Sequence, residues 1–298
     1  MRDSGVSTLA VPRASIRPAV WRGPELQTVI HWILRIAVAG TFIGHGAFGI
    51  ITKAAWVPYF ALVGIPESAA YRLMPLIGTM DITLGVLALL LPLRALLVWA
   101  VFWTTWTALL RPLTGEGIWE FLERAGNYGI PLALLVSSGW DAPWRAALTA
   151  RARTALTRPR AATMAWVLRL TTATLLIGHG GFGAFMHKQS WLHYFGVVGI
   201  DAATAQAFSL IAVVGWCEIA LGLAILLRPA RGLLLFACGW KVATELLRLP
   251  AGEPAWEFVE RFGSYAAPLA LLVVQSWLAR DGRRGGSPYP DGVGASRR

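Results

Sequence analysis

The chain has 298 residues, of which 56% are hydrophobic and 14% charged, and its mean hydropathy is +0.55. That composition excludes an ordinary soluble domain and points to an integral membrane protein whose backbone is satisfied by helices. The formal charge of +11 then reflects topology and attraction to a lipid bilayer with anionic inner-leaflet lipids, and it gives no reason to invoke nucleic acid.

In chain order, residues 1–27 form a polar tail with three prolines and without the layout of a cleaved secretory signal. The first apolar run, 28–50, ends in "IGHGAFG" and is followed by "AAWVPYFALVGIP", too short to span and aromatic enough to lie at the interface. Spans over 71–91 and 94–111 are joined at "LLPLRALL", where Pro92 breaks the helix. A second interfacial segment, "GIWEFLER", precedes a span over 124–140, and a basic linker covers 141–164. The pattern then repeats, with spans over 165–186, 205–227, 231–248 and 261–279, Pro229 as the breaker and a tail over 280–298.

The repetition extends to particular residues. "WILRIAVAGTFIGHGAFG" answers "WVLRLTTATLLIGHGGFG", and "WEFLERAGNYGIPLALLV" answers "WEFVERFGSYAAPLALLV". A period this long marks a duplicated domain rather than a solenoid. The expected fold is therefore an all-α integral membrane protein: a tandem duplication of a four-transmembrane-helix bundle, eight spans in all, with interfacial amphipathic helices. The units cover 28–140 and 165–279. The side holding both tails, the linker and the hairpin turns carries 17 Arg, against 7 Lys or Arg on the other, which puts both termini in the cytoplasm. An even span count makes the units parallel repeats.

Ionisable residues inside spans are costly and so informative. Asp81 lies about ten residues from either end of its span, roughly 15 Å into a core of about 30 Å. Its counterpart is Glu218, and each is framed by glycines on its own helix face: Gly78 and Gly85, Gly215 and Gly222. His45 and His179 fall near the outer end of the first helix of each unit, and Lys53 and Lys188 follow. Lys241 and Glu245 sit one turn apart, where the first unit has Thr104 and Ala108, so the second unit is expected to hold the more specialised polar site. His45, His179, Asp81 and Glu218 are candidates for proton exchange or ligation. Lys53, Lys188, Lys241, Glu245, Trp56 and Trp191 are candidate substrate contacts.

Structural alternatives stand beside these. Glu218 with Lys241 reads as a buried ion pair; the histidines read equally as hydrogen-bonded packing residues; Arg35 and Arg169 snorkel toward headgroups. "WEFLER" and "WEFVER" read as surface helices with their acids in water, anchored by Trp119 and Trp256. Cys217 and Cys238 read as apolar filler. No phosphate loop, metal-spaced cysteine set or serine triad is present.

The "GHGxFG" ending the first helix, the following lysine, the aromatic segment closing in "VGI" and the late "ERxGxY" resemble the DoxX-like four-helix membrane proteins. The resemblance covers both halves, whereas the usual member is a single unit, so a fused pseudodimer here has replaced a homodimer or freed one half to specialise. It implies an inner-membrane, multi-pass protein, and a quinone-interacting or redox-complex subunit with a membrane or extracytoplasmic redox partner. Quinone is the implied ligand, ahead of a haem b held by the two histidines. A carrier or permease for a small or lipidic solute, and a non-catalytic scaffold, remain the alternative classes.

Overall fold

The computed structural model describes residues 25–139, 144–151 and 155–285, and the chain there is helical throughout apart from turns and one isolated bridge between Leu93 and Arg151. The expected tails over 1–27 and 280–298 lie mostly outside the described residues, as do parts of the linker. The elements are α1 (Leu26–Ile50), α2 (Val57–Leu62), α3 (Glu67–Leu90), α4 (Arg94–Leu113), α5 (Ile118–Glu123), α6 (Ala125–Ser138) and α7 (Trp144–Thr149), then α8 (Arg158–Ala184), α9 (Trp191–Val197), α10 (Ala202–Ala207), α11 (Leu210–Leu227), α12 (Arg231–Leu246), α13 (Ala255–Glu260) and α14 (Phe262–Gly285).

Among the described residues six stretches are long and apolar enough to cross a membrane: Leu26–Ile50, Glu67–Leu90, Arg94–Leu113, Arg158–Ala184, Leu210–Leu227 and Ala255–Gly282. The segments expected to span over 124–140 and 231–248 are the helices α6 and α12, of 14 and 16 residues. At 1.5 Å per residue these reach about 21 and 24 Å, short of a core of about 30 Å.

Several boundaries differ from the sequence reading for local reasons. The stretch 205–227 is not one helix, because Ser209 adopts φ +51° and separates α10 from α11. Asp201 caps α10 by accepting from the Thr204 amide at 2.8 Å. The linker expected to run to 164 gives way to α8 at Arg158, with Pro159 in its first turn. The hairpins at Pro92 and Pro229 form as expected, with α3 ending at Leu90 and α11 at Leu227.

Four helices, α1, α6, α8 and α14, make the centre, with Leu34, Leu134, Leu168 and Leu271 in one core. Around it, α3 packs on α1, α4 on α6, α11 on α8 and α12 on α14. The long first helix of each half also lies against the last helices of the other: α1 on α13 and α14, α8 on α5 and α6. Outward-facing Trp32, Phe102, Trp166, Leu227 and Phe236 remain exposed, as lipid contact requires. Arg35 and Arg169 do more than snorkel. Arg35 donates to the Leu89 carbonyl, and Arg169 to those of Ile225 (3.3 Å) and Leu227 (2.6 Å), satisfying carbonyls in the last turns of α3 and α11. Arg94, fully buried, bonds Ser138 at its hydroxyl (3.3 Å) and its carbonyl.

The α1–α3 contact is built on glycine. A Cβ at Gly46 would stand 2.6 Å from the Gly78 carbonyl oxygen, and one at Gly49 2.7 Å from the Gly78 Cα. Gly78→Val should therefore destabilise the protein by about 1 to 3 kcal/mol through overpacking. Gly239→Ala, where a Cβ meets nothing within 4 Å, should be neutral or mildly stabilising. Thermal unfolding of the two variants in one detergent checks the contrast, and equal effects would refute the close-packing account.

Candidate functional site

The glycine register brings His45 and Asp81 to the same level. His45 Nδ1 lies 2.7 Å from Asp81 Oδ2, and Asp81 is fully buried. In the second half His179 Nδ1 lies 2.5 Å from Glu218 Oε2, between α8 and α11, where Gly180 and Gly183 face Gly215. Each imidazole stacks on the tryptophan of the following segment, His45 on Trp56 at 4.6 Å and His179 on Trp191 at 5.0 Å between ring centroids. Glu218 Oε1 also accepts from Trp240 Nε1 at 2.6 Å. Six of these seven residues are candidates in the sequence and the seventh, Trp240, lies beside Lys241, but the sequence reading puts the histidines at an outer end and the carboxylates at the midplane, whereas the structure sets each pair at one level. The available signal was that both halves carry the same pairing of types, with aspartate exchanged for glutamate.

Each histidine lines an apolar cavity. The first, about 180 Å³, is lined by His45, Trp56, Tyr59, Phe60, Trp103, Trp106 and Arg111 among others. The second, about 330 Å³, is lined by His179, Trp191, Tyr194, Phe195, Glu218, Trp240, Glu245 and Arg248 among others. With Nδ1 engaged by a carboxylate, Nε2 of each histidine has no hydrogen-bond partner among the described residues. An ionised carboxylate can only accept, so facing one the ring donates through Nδ1, and a neutral ring then offers Nε2 as an acceptor. The two histidines open onto different cavities, which does not fit a single haem ligated by both. Among the described residues no group of three or more His, Cys, Asp or Glu could hold a metal.

Between the cavities lies a polar chamber of about 300 Å³, lined from both halves and sharing the Tyr59–Arg111 wall with the first cavity and the Tyr194–Arg248 wall with the second. Its charges are paired across the halves: Lys53 bonds Glu257 at 2.9 Å, and Lys188 bonds Glu120 at 2.9 Å. Arg124 bonds Glu120 (2.7 Å) and Glu123 (3.0 Å), and Arg261 bonds Glu257 (2.5 Å). Tyr59 and Tyr194 donate to Glu116 and Glu253 while accepting from Arg111 (2.9 Å) and Arg248 (3.0 Å). The acids of "WEFLER" and "WEFVER" are thus not in water: Glu120, Glu123 and Glu260 are buried in this network. Burial would raise the Glu123 carboxyl, but Arg124 and Arg261 beside it hold it down to about 2. Burial pushes the Tyr59 and Tyr194 phenols up. Trp119 packs on Phe185 at 4.9 Å between ring centroids.

The expected Glu218–Lys241 ion pair does not form. Glu218 is taken by His179 and Trp240, while Lys241 donates to Glu245, one turn along its own helix, at 2.9 Å. Glu245 also receives Arg248 (2.5 Å) and Arg261 (3.2 Å). Helical spacing decides it: Lys241 and Glu245 share a face, and that face looks toward the arginines of the chamber. Cys217 and Cys238 are free.

No family model matches the chain. No characterised protein and no solved structure matches it either.

Lys241 and Glu245 are each 1% exposed. Glu245→Ala should cost about 3 to 5 kcal/mol because it strands Lys241 and takes one partner each from Arg248 and Arg261, and adding Lys241→Thr, which restores the first half's residue pair, should recover the part due to Lys241. Unfolding midpoints of the single and double variants check this. A double variant no more stable than Glu245→Ala would show that Lys241 is not held by Glu245.

Proposed function

We propose that the protein is a DoxX-like, quinone-interacting inner-membrane subunit, built as a tandem duplication of a four-helix unit with eight spans and both termini cytoplasmic. Recurrence supports the duplication: His on carboxylate, His on Trp, Lys on Glu across the halves, and Arg with Tyr and Glu are each made twice. Burial of Ile130, Ala133 and Leu134 supports a short α6 that spans within protein rather than lipid. The excess of arginine on the side of the tails supports the orientation.

The observation that carries the functional reading is an apolar, aromatic-lined cavity ending on a histidine whose Nδ1 is fixed by a buried carboxylate and whose Nε2 is unpartnered. A hydroquinone hydroxyl would donate to Nε2, and the carboxylate would stabilise the imidazolium formed when the proton transfers. In the reverse direction the imidazolium would donate to a quinone carbonyl. His179 borders the polar chamber as well as its cavity, which offers the proton a route outward. Electrons would pass to or from a membrane or extracytoplasmic redox partner.

A second reading, a carrier for a small or lipidic solute, is favoured by one feature: the charged chamber is enclosed between the halves by ion pairs that both halves contribute.

Titration of the purified protein in nanodiscs with a short-chain benzoquinone separates the readings. Saturable binding weakened at least about tenfold by His179→Ala is expected. No saturable binding, together with uptake of a polar solute by proteoliposomes, would replace the quinone reading with the carrier.

A further inference from the structure

We infer that the two cavities differ in ligand selectivity: the first recognises a hydroxyl on the head group through Asp81 and Trp103, and the second has no such contact. This rests on the quinone reading and deepens it. Asp81 corresponds in sequence to Glu218, and Trp103 to Trp240. In the second half the carboxylate is fully used, Oε2 by His179 and Oε1 by Trp240 Nε1 at 2.6 Å. In the first half only one carboxylate oxygen is used. Asp81 Oδ1 and Trp103 Nε1 are both buried, and neither has a hydrogen-bond partner among the described residues.

The cause is one methylene. Glutamate reaches the indole from its helix, and aspartate, shorter by a carbon–carbon bond, falls short. What remains is an acceptor on Asp81, behind the His45 it holds, and a donor on Trp103, and His45 and Trp103 both line the first cavity. Buried polar atoms left unpaired are costly in an apolar surrounding. One oxygen that both donates and accepts answers both: a hydroxyl gives its proton to Oδ1 and receives the indole N–H. A carbonyl or an ether can only accept, and would leave the carboxylate oxygen bare. The ligand class is therefore a phenol or hydroquinone, the reduced form of the head group, with a small rotation of the indole admitting its oxygen. The second cavity, with Glu218 satisfied, has His179 Nε2 for contact and discriminates less.

The test compares a short-chain alkylphenol with its methyl ether in nanodiscs, in a chain whose second cavity is filled by Ala243→Trp. The protein should prefer the phenol at least about tenfold, since a site built for a hydroxyl penalises the analogue lacking its proton. Asp81→Glu should close the pair, as Glu218 closes on Trp240, and reduce the preference to the part that His45 Nε2 supplies. Trp103→Phe, which removes the donor without lengthening the acid, should also reduce it and covers the case in which Asp81→Glu fails to fold. Equal affinities before mutation would mean that the pair holds at most a water, and would overturn the inference. So would a preference that neither variant diminishes. If phenol, ether and benzoquinone all fail to bind, the quinone reading itself fails, an outcome distinct from binding without discrimination.

Discussion

A carboxylate in the apolar interior of a helix bundle must be met by a partner on a neighbouring helix, and the rest of the structure follows from how that partner is brought within reach. Glycines at the α1–α3 and α8–α11 contacts let backbones approach until carbonyls and Cα atoms touch. Only at that separation does the imidazole of His45 meet Asp81, or that of His179 meet Glu218. The same approach turns the other edge of each imidazole toward a cavity and sets its face on a tryptophan. Packing, burial and the chemistry of the exposed nitrogen are thus one decision.

The second organising feature is where the remaining charge goes. Lysines past the ends of α1 and α8 do not reach into the cavities but cross to carboxylates of the other half. Arginines of "ERxGxY" bind those same carboxylates from behind. The halves are tied together by reciprocal ion pairs around a polar chamber, while each apolar cavity shares a Tyr–Arg wall with it. The second half adds Lys241 and Glu245 to this network, and the extra charges lie toward the chamber rather than against Glu218.

Much of this was legible in the sequence. Hydropathy gave the membrane and the helices, proline the hairpins, and the doubled "GHGxFG" the histidines. Three things were not. That Asp81 stands level with His45 does not follow from span ends, because α3 starts at Glu67 and its register on α1 is set by Gly46 and Gly78, which periodicity does not report. The partner of Glu218 is not legible either, because proximity along the hairpin suggests Lys241 while the rotation of each helix, which the sequence does not report, turns Glu218 to His179 and Lys241 to Glu245. The acids of the short aromatic helices looked solvated because no single helix shows that its polar face meets another half's polar face.

The central claim is that each buried carboxylate fixes its histidine with the proton on Nδ1, leaving Nε2 for a ligand. Nitrogen NMR of the histidine-labelled protein in lipid tests it directly, with His45→Gln and His179→Gln assigning the two rings. The account predicts a protonated Nδ1 on both, with the His45 ring losing that preference in Asp81→Asn. Rings found instead with the proton on Nε2 and a bare Nδ1, unaffected by the carboxylate substitution, would contradict it.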